Sequence, residues 1–510
     1  MQNLDLKITN KKLLAEEKGS IIKHWANRLR VGLIFPNTYQ IGMSNLGIHK
    51  VYELFNSRDD ALCERIFLPS TKQLEFLIKK KLPLLSFETG TELRKFDLLA
   101  FSFTTEFDYL NLPLILKLAN IPLENRSKNE PIIIAGGIAP TMNPEPIAPF
   151  MDAIFIGEGP SDSFIDALTE KDISALHDVE SLYIPSQYSI KYKDDQLIES
   201  IQHNGGNLNK KVTRSYDLSI IENPTKSVIF SPNTIFGDMA LIETGKGCGR
   251  RCRFCSSSYS YAPLRFVKKV PLIRAIQTLL KSSDKIGLVG SAIGDYPDKE
   301  EVFRSITDMN KSFSVSSLMI DKITKNELQL LQKGSSFTIT AAIEAGSQSL
   351  RNKINKDLSD DDILRGVDMI AKTGPFNLKL YFLIGLPGES DADILELIAL
   401  IKTIQKRFLN ASKSRGRVGR LIISIDSFVP KALTPFQWEP FSGKPQVKAK
   451  FKKIRNELRS LPNTLLRLGS ANGNYLQTLL SIGGRPVSEI IRKSHYGKVD
   501  WQKLANSSNI

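Results

Sequence analysis

Three of the chain's four cysteines fall within eight positions, in the stretch Gly247-Cys248-Gly249-Arg250-Arg251-Cys252-Arg253-Phe254-Cys255. The spacing is C-x3-C-x2-C, with an aromatic residue directly before the last cysteine. It follows an apolar run, residues 239–244, that reads as a buried strand. Cysteines on the loop leaving a strand can converge on one point, and three soft thiolates there suit an iron–sulfur cluster. A [4Fe–4S] cube normally takes four thiolates. Three leave one iron open, and an open site calls for a ligand that does chemistry. The competing site is structural zinc, which wants four ligands in tetrahedral array, usually as two close pairs. The remaining candidates, Cys63 and the five histidines His24, His49, His177, His203 and His495, are all distant in sequence.

The other bounds are broad. A length of 510 residues suggests several domains. No apolar run reaches transmembrane length. The first residues carry charge and no apolar core, unlike a secretory signal. One isolated cysteine beside a cluster of three is not a disulfide framework, so a reducing cytoplasm is expected. The net charge is +15, and from residue 441 onward thirteen Lys and Arg face three Asp and Glu. That excess favours anionic partners such as nucleic acid, although a helix face of solvated lysines has the same composition.

Hydrophobic patterning divides the chain into five parts. Residues 1–25 read as a polar helical arm. Residues 26–165 alternate short apolar strands with helical patterns, the mark of a Rossmann-like parallel α/β sheet. Residues 166–236 read as a connector with a small β element. Residues 237–440 resume the rhythm, with strands expected at 239–244, 286–290, 313–317, 337–343, 378–384 and 421–427. Six β/α units suggest a TIM-type barrel or a partial (β/α)6 barrel with its chemistry at the strands' carboxyl ends. Residues 441–510 read as a basic helical extension.

The cysteine loop, with Phe254 before Cys255, resembles that of the radical S-adenosylmethionine (SAM) superfamily. The resemblance implies a [4Fe–4S] cluster on Cys248, Cys252 and Cys255, with SAM chelating the open iron. Reductive cleavage of SAM would yield a 5′-deoxyadenosyl radical. The resemblance also places SAM contacts at the strand ends. Gly290 and Ser291 stand where members carry a Gly-Gly-Glu run. The glutamate is missing, so backbone or Ser291 would meet the SAM amino group. Ser316 ends the third strand. Glu344 matches a ribose contact, and Ser347 follows it. Arg351 could meet the carboxylate, and Gly385 lies where backbone meets adenine.

The first domain resembles the cobalamin-binding-type domain that precedes many of these barrels, through Ala135-Gly136-Gly137, Asn143-Pro144-Glu145-Pro146 and Gly157-Glu158-Gly159. Three further stretches, 39–47, 64–69 and 104–109, resemble one subfamily. Cobalamin itself stays an open expectation, because the loop Asn37-Thr38-Tyr39-Gln40-Ile41-Gly42 lacks the histidine that many such domains give to cobalt. His49 falls within a helical pattern and reads as a helix-surface residue. Cys63 reads as a small buried residue, with a role beside the cofactors as the alternative. The expected reaction is hydrogen abstraction from a small-molecule or RNA substrate, with methylation of an unactivated carbon if cobalamin binds. A flavodoxin or ferredoxin would supply the electron. The alternatives are an RNA-modifying enzyme without cobalamin and a non-catalytic nucleic-acid-binding protein with a structural metal. Methylthiotransferase chemistry needs a second cluster on three more cysteines, and one remains.

Overall fold

The structure is a computed structural model that describes residues 5–159, 162–169, 176, 179–194, 197–204, 211–413 and 416–494. His177, His495, residues 205–207 of the expected connector and the basic tail past 494 lie outside the described residues. The chain packs as two units. One comprises residues 1–217, 225–238 and 480–510; the other comprises 218–224 and 239–479. Among the described residues no helix is long and apolar enough to cross a membrane.

The first unit is built on a six-stranded sheet. Its strands are β1 (Leu29–Thr38), β2 (Ala61–Leu68), β3 (Leu98–Ser102), β4 (Ile132–Gly136), β5 (Ala153–Phe155) and β6 (Leu182–Tyr183), in the order β2-β1-β3-β4-β5-β6. All neighbours are parallel except the β5–β6 pair. The connector adds an antiparallel hairpin, β7 (Tyr188–Tyr192) with β8 (Ile198–His203). Strand β2 interrupts its apolar run with Glu64 and Arg65, yet every one of its residues is buried. Both charges have partners there: the Glu64 carboxylate accepts from Trp25 Nε1 at 3.1 Å, Ser86 Oγ at 2.6 Å and Thr89 Oγ1 at 2.8 Å. The Arg65 guanidinium donates to both oxygens of Glu17 on the N-terminal arm, at 2.8 and 2.7 Å, and to Glu88 at 2.6 Å. The arm itself starts as a helix, Leu6–Ala15, capped by the Asp5 carboxylate.

Histidine 49 is 1% exposed, not on the helix surface. The helix Leu46–Asn56 turns Ile48, His49, Tyr52 and Phe55 inward at helical spacing. The His49 imidazole is then satisfied by backbone on both sides: Nε2 meets the Met43 carbonyl at 3.2 Å, and Nδ1 accepts from Val228 and Ile229 N–H at 3.3 and 3.4 Å. Cys63 is buried at 1% exposure in the apolar core of this unit.

The second unit carries two parallel sheets. One holds β9 (Ala240–Glu243), β12 (Lys285–Val289) and β13 (Ser312–Val315), in the order β13-β12-β9. The other holds β14 (Thr338–Glu344), β15 (Asn377–Ile384), β16 (Leu421–Ser427) and β17 (Thr464–Leu468), in chain order. The two short strands β10 (Gly245–Lys246) and β11 (Arg265–Phe266) pair antiparallel beside them. Beyond β13, the Leu318 N–H donates to Thr340 of β14 at 2.8 Å, tying the first sheet's edge to the second. All six strands expected between 237 and 440 are present. A seventh, β17, lies in the segment expected to be helical and pairs parallel with β16.

Candidate active site

The cysteine loop grows out of β9. Strands β10 and β11 close its base through the pairs Gly245–Phe266 and Lys246–Arg265. Gly247 turns with φ +80°, and a Cβ there would sit 2.7 Å from the Tyr261 carbonyl, so glycine is required. The buried Arg265 braces the loop from inside, donating to the carbonyls of Pro263 and Tyr261, each at 3.0 Å. Three strand exits then hold its outer part. Arg250 pairs with Asp295 beyond β12 at 2.9 Å. Asn355 Nδ2, beyond β14, donates to the Arg250 and Arg251 carbonyls at 2.9 and 3.1 Å. Phe436, beyond β16, donates its N–H to the Arg253 carbonyl at 3.1 Å.

The result is a cavity of about 480 Å³ lined by Cys248, Cys252 and Cys255 together with Phe254, Ser291 and Glu344. Ser317 lines it as well, while its neighbour Ser316 instead donates to the Gly290 carbonyl at 2.8 Å. Glu344 is aimed inward by the β-bulge between Ala342 and Glu344, where its backbone takes φ +74°. A non-glycine residue held there is costly, and such strain collects at functional sites. Burial holds the Glu344 carboxyl above its ordinary range, opposed by the Lys356 ammonium 3.6 Å away.

Gly290, Ser316, Ser347, Arg351 and Gly385 do not line this cavity. Ser347 caps the helix Gln348–Lys353, accepting from Leu350 N–H at 3.2 Å, and bonds Asp393. Gly385 bonds Glu389 and Ser442. The guanidinium of Arg351 is fully buried and spent on structure. It donates to the carbonyls of Leu358, Ala345 and Gly346 at 2.8, 3.0 and 2.8 Å, and pairs with Asp360. The cavity's cations are instead Lys356 and Arg250. Lys356 sits just past the end of that helix, in Asn355-Lys356-Asp357, a polar run with no distinguishing spacing.

The donor set fits a cluster. Burial pushes the Cys252 thiol up to about 11, with Lys356 pulling the other way, and burial also raises Cys255. Thiols in such surroundings stay protonated until a metal centre displaces the proton. Among the described residues no three His, Cys, Asp or Glu side chains gather as a single metal ion requires. The three thiols are spread over the wall of one cavity.

Residues 47–185 match the family of radical SAM proteins, N-terminal, and residues 242–401 match the radical SAM superfamily. An uncharacterised protein of Methanocaldococcus jannaschii is 31% identical over 434 residues, which is 84% of each chain. The threonylcarbamoyladenosine tRNA methylthiotransferase MtaB of Chlamydia pneumoniae is 24% identical over 212 residues, 36% of this chain and half of that enzyme. Among solved structures, the cobalamin-dependent SAM radical enzyme OxsB, with aqua-cobalamin and SAM bound, shares the fold at a TM-score of 0.51 and 13% identity. That likeness covers 83% of this chain but only 62% of OxsB. Both matched regions, and a relative aligned over most of the chain, agree with the thiol-lined cavity at the strand exits: this chain belongs to the radical SAM superfamily of enzymes.

Proposed function

We propose that this chain cleaves SAM reductively, using a [4Fe–4S] cluster held by Cys248, Cys252 and Cys255. The observation that carries the reading is the convergence of the three thiols with Ser291, Ser317 and Glu344, from four strand exits, on one cavity. Its volume of about 480 Å³ suits a ligand of SAM's size. When bound, the cluster supplies one electron to the sulfonium, so that a carbon–sulfur bond breaks and a substrate-activating radical forms. The chain's own residues bind and orient. Lys356 faces an anionic group of the ligand, Glu344 accepts from hydroxyls, and Ser291 stands in for the missing glutamate near the amino group. A one-electron donor of the flavodoxin or ferredoxin class completes the cycle. Anaerobic reconstitution tests the cluster. The expected result is about four irons and four sulfides per chain, lost in Cys252→Ala; zinc without iron would overturn it.

The fold shared with OxsB favours a second reading, cobalamin-dependent methylation. His49 does not fit a cobalt ligand, because both ring nitrogens are engaged by buried backbone. A corrinoid would have to bind without it. Retention of a corrinoid spectrum after incubation with hydroxocobalamin and desalting supports this reading; complete loss on desalting removes it.

A further inference from the structure

The helix Lys444–Leu458 buries Val447, Phe451, Ile454 and Leu458. On one flank it is neutralised: Lys450 pairs with Glu389 at 2.5 Å and Glu457 with Lys402 at 2.7 Å. On the other flank Lys448, Lys452 and Arg455 form a stripe at i, i+4 and i+7. No acid pairs with any of these three among the described residues. Like charges at this spacing repel, so the stripe stands at a cost unless an anion offsets it.

The stripe is one wall of a groove of about 330 Å³, whose other wall is the exit of β17, residues 469–472. No carboxylate lines it. Asp426 lies behind Gly469, where a Cβ would sit 1.9 Å from its Oδ1. That oxygen already accepts from Ser427 N–H and Asn474 Nδ2 at 2.9 and 2.5 Å.

A second observation comes from the exit of β16. The short turn Pro435–Trp438 presents Trp438 at 86% exposure. The turn is anchored, with Phe436 buried against Phe428 and bonded to the cysteine loop at Arg253. The indole is thus displayed on purchase that does not depend on its own burial. Just before the helix and just after the groove's residues 469–472, Phe441 and Tyr475 place their rings 6.1 Å apart, with the Lys444 ammonium 4.5 Å over Tyr475. Strands β14 to β17 are parallel, so these exits lie on the same edge of the sheet as Glu344.

We propose that this rim binds a single-stranded RNA, with phosphates in the Lys448–Lys452–Arg455 groove and a base stacked on Trp438. Cations that track a backbone, interleaved with aromatic platforms, are how sequence-tolerant single-strand binders work. A recess flanked by rings suits a phosphate chain better than a membrane, which meets a flat amphipathic face. The inference adds a substrate class to the radical site and rests on that reading.

The test uses the reconstituted full chain and a fluorescein-labelled single-stranded RNA of about twenty nucleotides, followed by anisotropy across a salt series. Wild type is expected to bind, weakening as salt rises. The triple variant K448E/K452E/R455E should lose more than about tenfold in affinity and show a shallower salt slope. Trp438→Ala, whose side chain is already in solvent, should lose about tenfold with the slope kept. A control, K281E/K372E/K406E, makes the same charge change on two helices and in the turn after a third, all leading back to the strands' amino ends, and should bind as wild type does. No binding by wild type, equal losses in the control, or a groove variant that loses anionic phosphatidylserine vesicles but keeps RNA would each overturn the inference. SAM cleavage by wild type, measured without RNA, separates the two claims: cleavage without RNA binding sinks this one alone, and RNA binding without cleavage sinks the radical reading alone.

Discussion

Arg250 grips Asp295 through two parallel hydrogen bonds, Nε to Oδ2 at 3.0 Å and Nη2 to Oδ1 at 2.9 Å. The pair ties the cysteine loop, between Cys248 and Cys252, to the exit of β12. Lys322 adds a third donor to the same carboxylate at 2.9 Å, and these partners hold the Asp295 carboxyl down to about 2. The loop's shape therefore depends on a charge outside the motif. Asp295→Asn keeps the size but removes the charge, at about 1 kcal/mol for a partly exposed pair. The expected outcome is a reconstituted cluster that gives up iron to a chelator several-fold faster. Release at the wild-type rate would show that the pair does not hold the loop.

Lys356 and Arg351 make opposite predictions, although both are cations near the same helix end. Lys356→Gln removes the charge facing Glu344 in the cavity, so the KM for SAM should rise about tenfold with thermal stability kept, and Lys356→Arg should recover part of it. Arg351→Met strands three buried carbonyls and should cost about 3 kcal/mol in urea denaturation. A stable Arg351→Met protein with a raised KM would reverse the two assignments.

His49 gives the first unit a pH dependence. Burial lowers its pKa from 6.5 to about 4, so in the folded state it stays neutral where the unfolded chain would bind a proton. The unfolded state takes up more protons between those values. The contribution is therefore fully present above about pH 6.5 and is lost as pH falls through about 4. Its size is about 3 kcal/mol. Relative to His49→Gln, wild type should lose stability over that window in urea denaturation. A difference between the two proteins that stays constant with pH would contradict the burial of a neutral imidazole.

The cysteine loop and the six strands that present it were legible because each rests on a local pattern: fixed spacing in one case, continuous apolar runs in the other. What the pattern could not carry was pairing. Strand β2 hides in the sequence because Glu64 and Arg65 break its apolar run, and their partners are distant in sequence: Glu17 and Glu88 for Arg65, and Trp25, Ser86 and Thr89 for Glu64. His49 looked like a surface residue for the same reason, since its three backbone partners come from Met43, Val228 and Ile229. Strand β17 lies in a cation-rich stretch that reads as helix, and becomes a strand through its pairing with β16. Arg351 and Lys356 are five residues apart, and their roles are set by which carbonyls and carboxylates the fold places beside them.

The central claim is that the three thiols serve one redox centre. The most direct measurement is 5′-deoxyadenosine formation from SAM and dithionite by the anaerobically reconstituted protein, alongside Cys248→Ala, Cys252→Ala, Cys255→Ala and Cys63→Ala. Cys63 is buried in the other unit, so Cys63→Ala should retain cleavage while each of the other three abolishes it. Cleavage that survives loss of Cys248, Cys252 or Cys255, or no cleavage by wild type carrying its full complement of iron, would contradict the account.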